Sequence, residues 1–134
     1  MSGPGQLRAV SPILLVADVV KAAGYYVDAL GFRVPRMWGE PPTFCIPQRD
    51  GLAIMLNQIE PGDLVRPNSG YNGRFDVYFD VADADALFAE FKAAGADIVC
   101  EPEDQPYEMR EFQVRDRDGH LLAFGHDTSG AAHG

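Results

Sequence analysis

The chain has 134 residues, enough for one ordinary domain with a core of its own. Its composition, 46% hydrophobic and 23% charged, belongs to a globular protein rather than a disordered one. Twenty acidic residues against 11 basic ones give a formal net charge of -9, which repels nucleic acid and anionic membranes and leaves neutral or cationic small molecules open.

The start, Met1 to Gln6, has no basic stretch followed by an apolar run, so no secretory signal is expected. No run approaches the ~18 apolar residues of a membrane span, and the expected compartment is the cytoplasm. Val10 to Val16 then reads as a strand, and Asp18 as the N-cap of a helix from Val19 to Leu30 that Gly31 stops. Three strand segments follow, Phe32 to Trp38, Phe44 to Gln48 and Leu52 to Gln58. Asp50-Gly51 makes a tight turn before the last of them.

Ile59 to Gly73 holds Pro61, Gly62, Pro67, Gly70 and Gly73 without periodicity, and reads as a linker. The second half repeats the plan of the first. Arg74 to Val81 is a strand, Asp83 or Asp85 caps a helix through Ala94, and Gly95 stops it. Ile98 to Glu101 and Glu108 to Arg115 are strands, and Asp118-Gly119 turns the chain into a last strand from His120 to His126. Leu87, Phe88 and Phe91, with Ala84 and Ala94, share one helix face. Along the strands Phe75, Val77, Phe79 and Val81 oppose Asp76, Tyr78 and Asp80, while Leu122 and Phe124 oppose Leu121, Ala123 and Gly125.

The repeat of Val16-Ala17-Asp18 at Val81-Ala82-Asp83, each followed by a helix, a glycine stop and an Asp-Gly turn, predicts two copies of one module. The expected fold class is α+β: paired βαβββ modules forming a cup-shaped mixed β-sheet with the helices outside. The expected single domain spans about 7–127, with module one at about 7–58, the linker at 59–73 and module two at 74–127. A flexible tail is expected at 128–134. Cys45 and Cys100 are too few for a disulfide framework and read as buried free thiols. Arg110 and Glu111 read as a structural ion pair.

The V-A-D openings, the A-A-G helix end and the closing Arg115-Asp116-Arg117-Asp118-Gly119-His120-Leu121-Leu122-Ala123-Phe124-Gly125-His126 resemble the vicinal oxygen chelate superfamily. That group includes glyoxalase I, extradiol dioxygenases, and fosfomycin and bleomycin resistance proteins. The resemblance runs from about Leu7 to Asp127 and implies a cup that holds a metal or a ligand. It also implies a homodimer, since short chains of this family commonly pair. Carried over position by position, the family's metal ligands fall at Ser11, Met55, Asp76 and Ala123. Serine, methionine and alanine supply no imidazole or carboxylate, so no metal and no cofactor are expected. His120 and His126, ~20 Å apart on one strand and on the side of Leu122, do not replace them and read as strand-end or solvent-exposed residues. His133 lies in the tail.

What is left to line the cup, by parity and by resemblance, is Trp38, Met55, Asp76, Tyr78, Tyr107 and Met109. Trp38 either stacks on a planar ligand or packs at a subunit interface. Asp76 either pairs with a cationic group or is a surface or interface carboxylate. The expected function is metal-independent binding of a small, aromatic or cationic molecule, in the manner of bleomycin resistance proteins, with no nucleic-acid or membrane partner. Two alternatives stay open. One is a lyase, isomerase or dioxygenase-like enzyme of the same superfamily with Asp76 as general base. The other is an interaction module with a vestigial cup.

Overall fold

A computed structural model describes residues 5–130 of the chain. The first half comprises β1 (Ile13–Val16), α1 (Val19–Asp28), β2 (Met37–Trp38), β3 (Phe44–Cys45), β4 (Gln48–Arg49), β5 (Leu52–Ala53) and β6 (Met55–Gln58). The second comprises β7 (Val77–Asp80), α2 (Ala84–Ala93), β8 (Asp97–Asp104), β9 (Met109–Arg115) and β10 (Leu121–Asp127). A single 3-10 turn, Asn68–Gly70, interrupts the expected linker.

The repeat is visible in the topology. One four-stranded sheet runs β1-β6-β3-β2 and the other β7-β10-β9-β8, so each places its first strand beside its last. Both of those pairs are parallel, Ile13 meeting Met55 and Val77 meeting Leu122. The helices repeat too. Asp18 accepts from the Lys21 amide and Asp83 from the Ala86 amide, each at 3.1 Å, which satisfies a donor the first helical turn leaves free. Of the two expected caps for α2, Asp83 is therefore the one used. At the far ends Gly31 (φ 72°) and Gly95 (φ 86°) take the left-handed conformation that lets the chain leave the helix.

Both sheets lean on their helices through one core. In α1 Val19, Ala22, Ala23 and Tyr26 are buried at helical spacing, and they meet Leu14, Val16, Cys45 and Leu56 from the sheet. In the second half Phe112 stacks on Phe124 (5.1 Å between centroids) and meets Phe88 and Phe91 edge-on, while Phe79 stacks on Phe124 at 4.7 Å. The halves are tied by Tyr26, whose hydroxyl donates to Asp116 at 2.8 Å, and by Arg49, which clasps Glu90 of α2 at 2.6 and 3.0 Å.

Several expected elements are shorter, longer or broken. The run Phe32 to Trp38 is a strand only at Met37–Trp38, with one isolated bridge from Arg33 to Gln48, because Pro35 interrupts it. Pro47 likewise splits Phe44 to Gln48, and the pieces β4 and β5 form a separate hairpin around Asp50-Gly51, both at positive φ. The first strand begins at Ile13 rather than Val10, and the fifth at Val77 rather than Arg74. The expected short strand Ile98 to Glu101 is longer, Asp97–Asp104, and its register shifts twice on the way past Pro102. Strand β10 runs one residue past the expected His126, to Asp127, and residues 131–134, His133 included, lie outside the described residues.

Three side-chain expectations are corrected. Cys45 is buried, and burial pushes its thiol up to about 11, but Cys100 is exposed on the outermost strand β8. Ala94 is exposed because α2 ends one residue before it. Arg110 and Glu111 form no pair, since neighbours on a strand point to opposite faces. Arg110 reaches Asp85 at 2.9 Å and Asp104 at 3.2 Å instead.

Candidate functional site

Strand alternation gives each sheet one face under its helix and one open face. On the first sheet, cross-strand pairing sets Trp38 beside Phe44, Phe44 beside Asn57 and Asn57 beside Leu15, with Ile13 beside Met55 in the next row. This open face is apolar and accessible: Ile13 is 60% and Leu15 48% exposed. Trp38 lies against Phe44 (5.6 Å) with the Arg36 guanidinium 5.0 Å from its ring centroid. A cation thus already sits on the indole.

On the second sheet the open face carries Tyr78, Ala123 and Gln113 in one row, with Gly125 and Glu111 in the next. Met109 pairs with Asp127 at its far end. Tyr78 and Tyr107 are brought together by a residue that sequence reasoning assigned elsewhere. The Tyr78 hydroxyl donates to Glu111 Oε2 at 2.7 Å and the Tyr107 hydroxyl to Oε1. Glu111 is only 3% exposed. Burial, then the bond to Glu111, raises both phenols; Tyr107 is pushed up to about 12, so both hydroxyls stay protonated donors. The signal available in the sequence was parity, because Glu111 falls on the side of Gln113 and opposite Phe112.

Asp76 sits at the edge of this face rather than at its base. Its Oδ2 accepts from the Leu121 amide at 2.8 Å and its Oδ1 from the Asn68 amide at 2.9 Å. Those bonds fasten the linker to the start of β10. His120, expected at a strand end or in solvent, lies just before β10 and is buried. Its Nε2 faces the Leu15 carbonyl at 2.7 Å, so that nitrogen carries the proton, and Nδ1 lies 3.5 Å from Asp76 Oδ1. His126 is spent differently, its Nδ1 accepting from the Ala84 amide at the start of α2 at 2.8 Å.

The four positions at which the family's metal ligands fall therefore offer Ser11, Met55, Ala123 and a carboxylate already bound by two amides. That donor set does not fit a divalent ion, and adding His120 to Asp76 still leaves fewer than three ligands. Among the described residues no group of three or more His, Cys, Asp or Glu could hold a metal ion.

Among the described residues, one cavity borders the open faces and another lies on the helix side. One of about 470 Å³ lies between Ile13, Leu15, Leu64, Arg66, Asp76 and His120, at the junction of the halves. The other, about 610 Å³, lies on the helix side between the β4-β5 hairpin and α2, with Phe79, Leu87, Phe91 and Phe124 as its apolar lining and the Arg49–Glu90 pair at its rim. None of the expected cup residues lines this second cavity. Trp38 and Met55 share the open face of the first sheet, Tyr78 and Met109 that of the second, Tyr107 joins Tyr78 through Glu111, and Asp76 borders the smaller cavity.

Comparison with known proteins places this arrangement. An uncharacterized protein of Mycobacterium bovis is 33% identical over 126 residues, covering 87% of this chain and 82% of its own. TioX from Micromonospora sp. ML1 is similar in structure with a TM-score of 0.69 at 26% identity, over 90% of this chain and 98% of that one. The bleomycin-binding protein of Streptomyces verticillus, solved with copper(II)-bleomycin, shares the fold with a TM-score of 0.68 at 23% identity, over 90% and 97% of the two chains. The profile of the Glyoxalase/Bleomycin resistance protein/Dioxygenase superfamily matches residues 8–124, and the chain belongs to that superfamily.

Proposed function

We propose that the protein binds a small, partly aromatic and cationic molecule between the open sheet faces, without a metal ion. The ligand is walled by Trp38, Met55, Tyr78, Tyr107 and Met109, with Asp76 at the border. The observation that carries this reading is the accessibility of large aromatic and apolar side chains on otherwise well-packed sheets. Tyr78 is 40% and Tyr107 57% exposed. Exposed surfaces of this kind mark binding sites. The unsuitable donors at Ser11, Met55 and Ala123 support metal independence, and the antibiotic bound by the Streptomyces verticillus neighbour supports a ligand of small-molecule size.

In this reading the cleft is completed by a second copy. Trp38 and Met55 stand on one sheet and Tyr78 and Met109 on the other, and a homodimer that sets the first sheet of one protomer against the second of its partner brings them together. Leu15 and Ile13 are covered in the same step. No helix of the described residues is long and apolar enough to cross a membrane. A cytoplasmic location is part of this proposal and carries over from the sequence expectation alone.

Trp38 is the sole tryptophan, so its fluorescence reports on the cleft directly. Titration with 1-naphthylmethylammonium should quench it and raise the melting temperature. Light scattering should return a mass twice that of the chain, and elemental analysis after dialysis against zinc or nickel should find far less than one ion per chain. A panel of planar cations that leaves both fluorescence and melting unchanged overturns the binding reading, and one bound metal per chain overturns its metal independence.

A further inference from the structure

Glu111 is a buried carboxylate with no ion pair among the described residues. Strand β9 turns Phe112 and Val114 into the core and Glu111 to the open face, where it is 3% exposed. The guanidinium next to it in sequence is on the opposite face, held by Asp85 and Asp104. Its hydrogen-bond partners are two neutral phenols, which satisfy one lone pair on each oxygen and leave the charge uncompensated. Burying a carboxylate without a counter-charge is unfavourable.

The fold is nevertheless shaped around it. Gly125 stands opposite Glu111 in the ladder, and a Cβ there would collide with the Tyr78 hydroxyl and lie 3.1 Å from Glu111 Cβ. Only the absence of a side chain at 125 lets Tyr78 reach across β10 to the carboxylate. The two phenols are not equally fixed. Tyr78 is anchored on β7 over Gly125, whereas Tyr107 sits in the connection between β8 and β9, where Glu108 takes a φ of 59°, and more than half of it is exposed.

We propose that Glu111 is the charge anchor of the cleft: a protonated nitrogen of the ligand, an ammonium or amidinium, takes the place of the Tyr107 hydroxyl on Oε1, while the Tyr78 hydroxyl stays on Oε2. The ligand supplies a counter-charge that the described residues around Glu111 do not, and the two tyrosine rings flank it. This rests on the binding reading given above, but it moves the charge recognition from Asp76, whose oxygens are held by backbone amides, to Glu111.

The test is calorimetric titration at neutral pH with 1-naphthylmethylammonium and its neutral analogue 1-naphthylmethanol. Glu111→Gln keeps the shape and one acceptor for the phenols. It should weaken the cation about tenfold or more and leave the alcohol within about twofold, as expected for one charge-assisted hydrogen bond. Tyr107→Phe removes the hydroxyl that must be displaced and should tighten the cation about threefold. Weaker cation binding by Tyr107→Phe overturns the displacement, and this variant decides the matter alone if Glu111→Gln fails to fold. Equal binding of both probes to the native protein, unaffected by Glu111→Gln, overturns this inference and leaves the binding reading standing. Binding of neither probe overturns both.

Discussion

Asp76→Ala is expected to lower stability by about 3 kcal/mol, because it strips a buried acceptor from two backbone amides at once. The side chain is 9% exposed, and of the two amides it serves that of Leu121 lies partly buried while that of Asn68 is at the surface. For a chain of this size the loss corresponds to a melting temperature roughly 10 °C lower. Asp76→Asn, which keeps one acceptor oxygen, should lose about half as much. Calorimetry on the two variants checks the ordering. A loss below ~0.5 kcal/mol for the alanine variant would mean that the linker is not held to β10 through this residue.

Phe112→Ala should cost still more, about 3–5 kcal/mol, since its fully buried ring touches Phe88, Phe91 and Phe124 and the cavity left behind has rigid aromatic walls. The melting temperature should fall by roughly 10–15 °C. Urea denaturation with an unchanged slope would assign the effect to the native core. If the loss were instead no more than that of an Ile→Val change, about 1 kcal/mol, the aromatic stack would not be the centre of the second half.

The parts of the fold that follow from local chemistry were legible in the sequence. Asp18 and Asp83 as caps, Gly31 and Gly95 as stops, and Asp50-Gly51 as a turn all depend on the residue and its immediate neighbours, and the chain obeys them. The parallel repeat was legible because its signals recur at equal offsets. The strand ends in the first half were not, because Pro35 and Pro47 cut a continuous β-like run into pieces whose hydrogen bonds go to different partners. The candidate site was legible by halves. Parity placed Trp38, Met55, Tyr78 and Met109 on open faces, but it could not show that Asp76 would be taken by the Asn68 and Leu121 amides, since those partners come from distant segments. For the same reason Glu111 was paired with its neighbour Arg110, when alternation along β9 separates the two and sends each to partners across the fold.

One border strand of each sheet, β2 in the first and β8 in the second, has a property that bears on how copies of this protein meet. Strand β2 is two residues long and is followed closely by Gly39, Pro41 and Pro42, while β8 carries Pro102, two register shifts and the acids Asp97, Glu101, Glu103 and Asp104. A proline has no amide to offer a new strand, a bulge misaligns the remaining ones, and four carboxylates repel a like-charged chain. Neither border can template strand addition. Runaway edge-to-edge aggregation, the usual hazard of an open sheet, is closed to this molecule at those borders, and self-association there is left to side-chain surfaces, where it can be finite and specific.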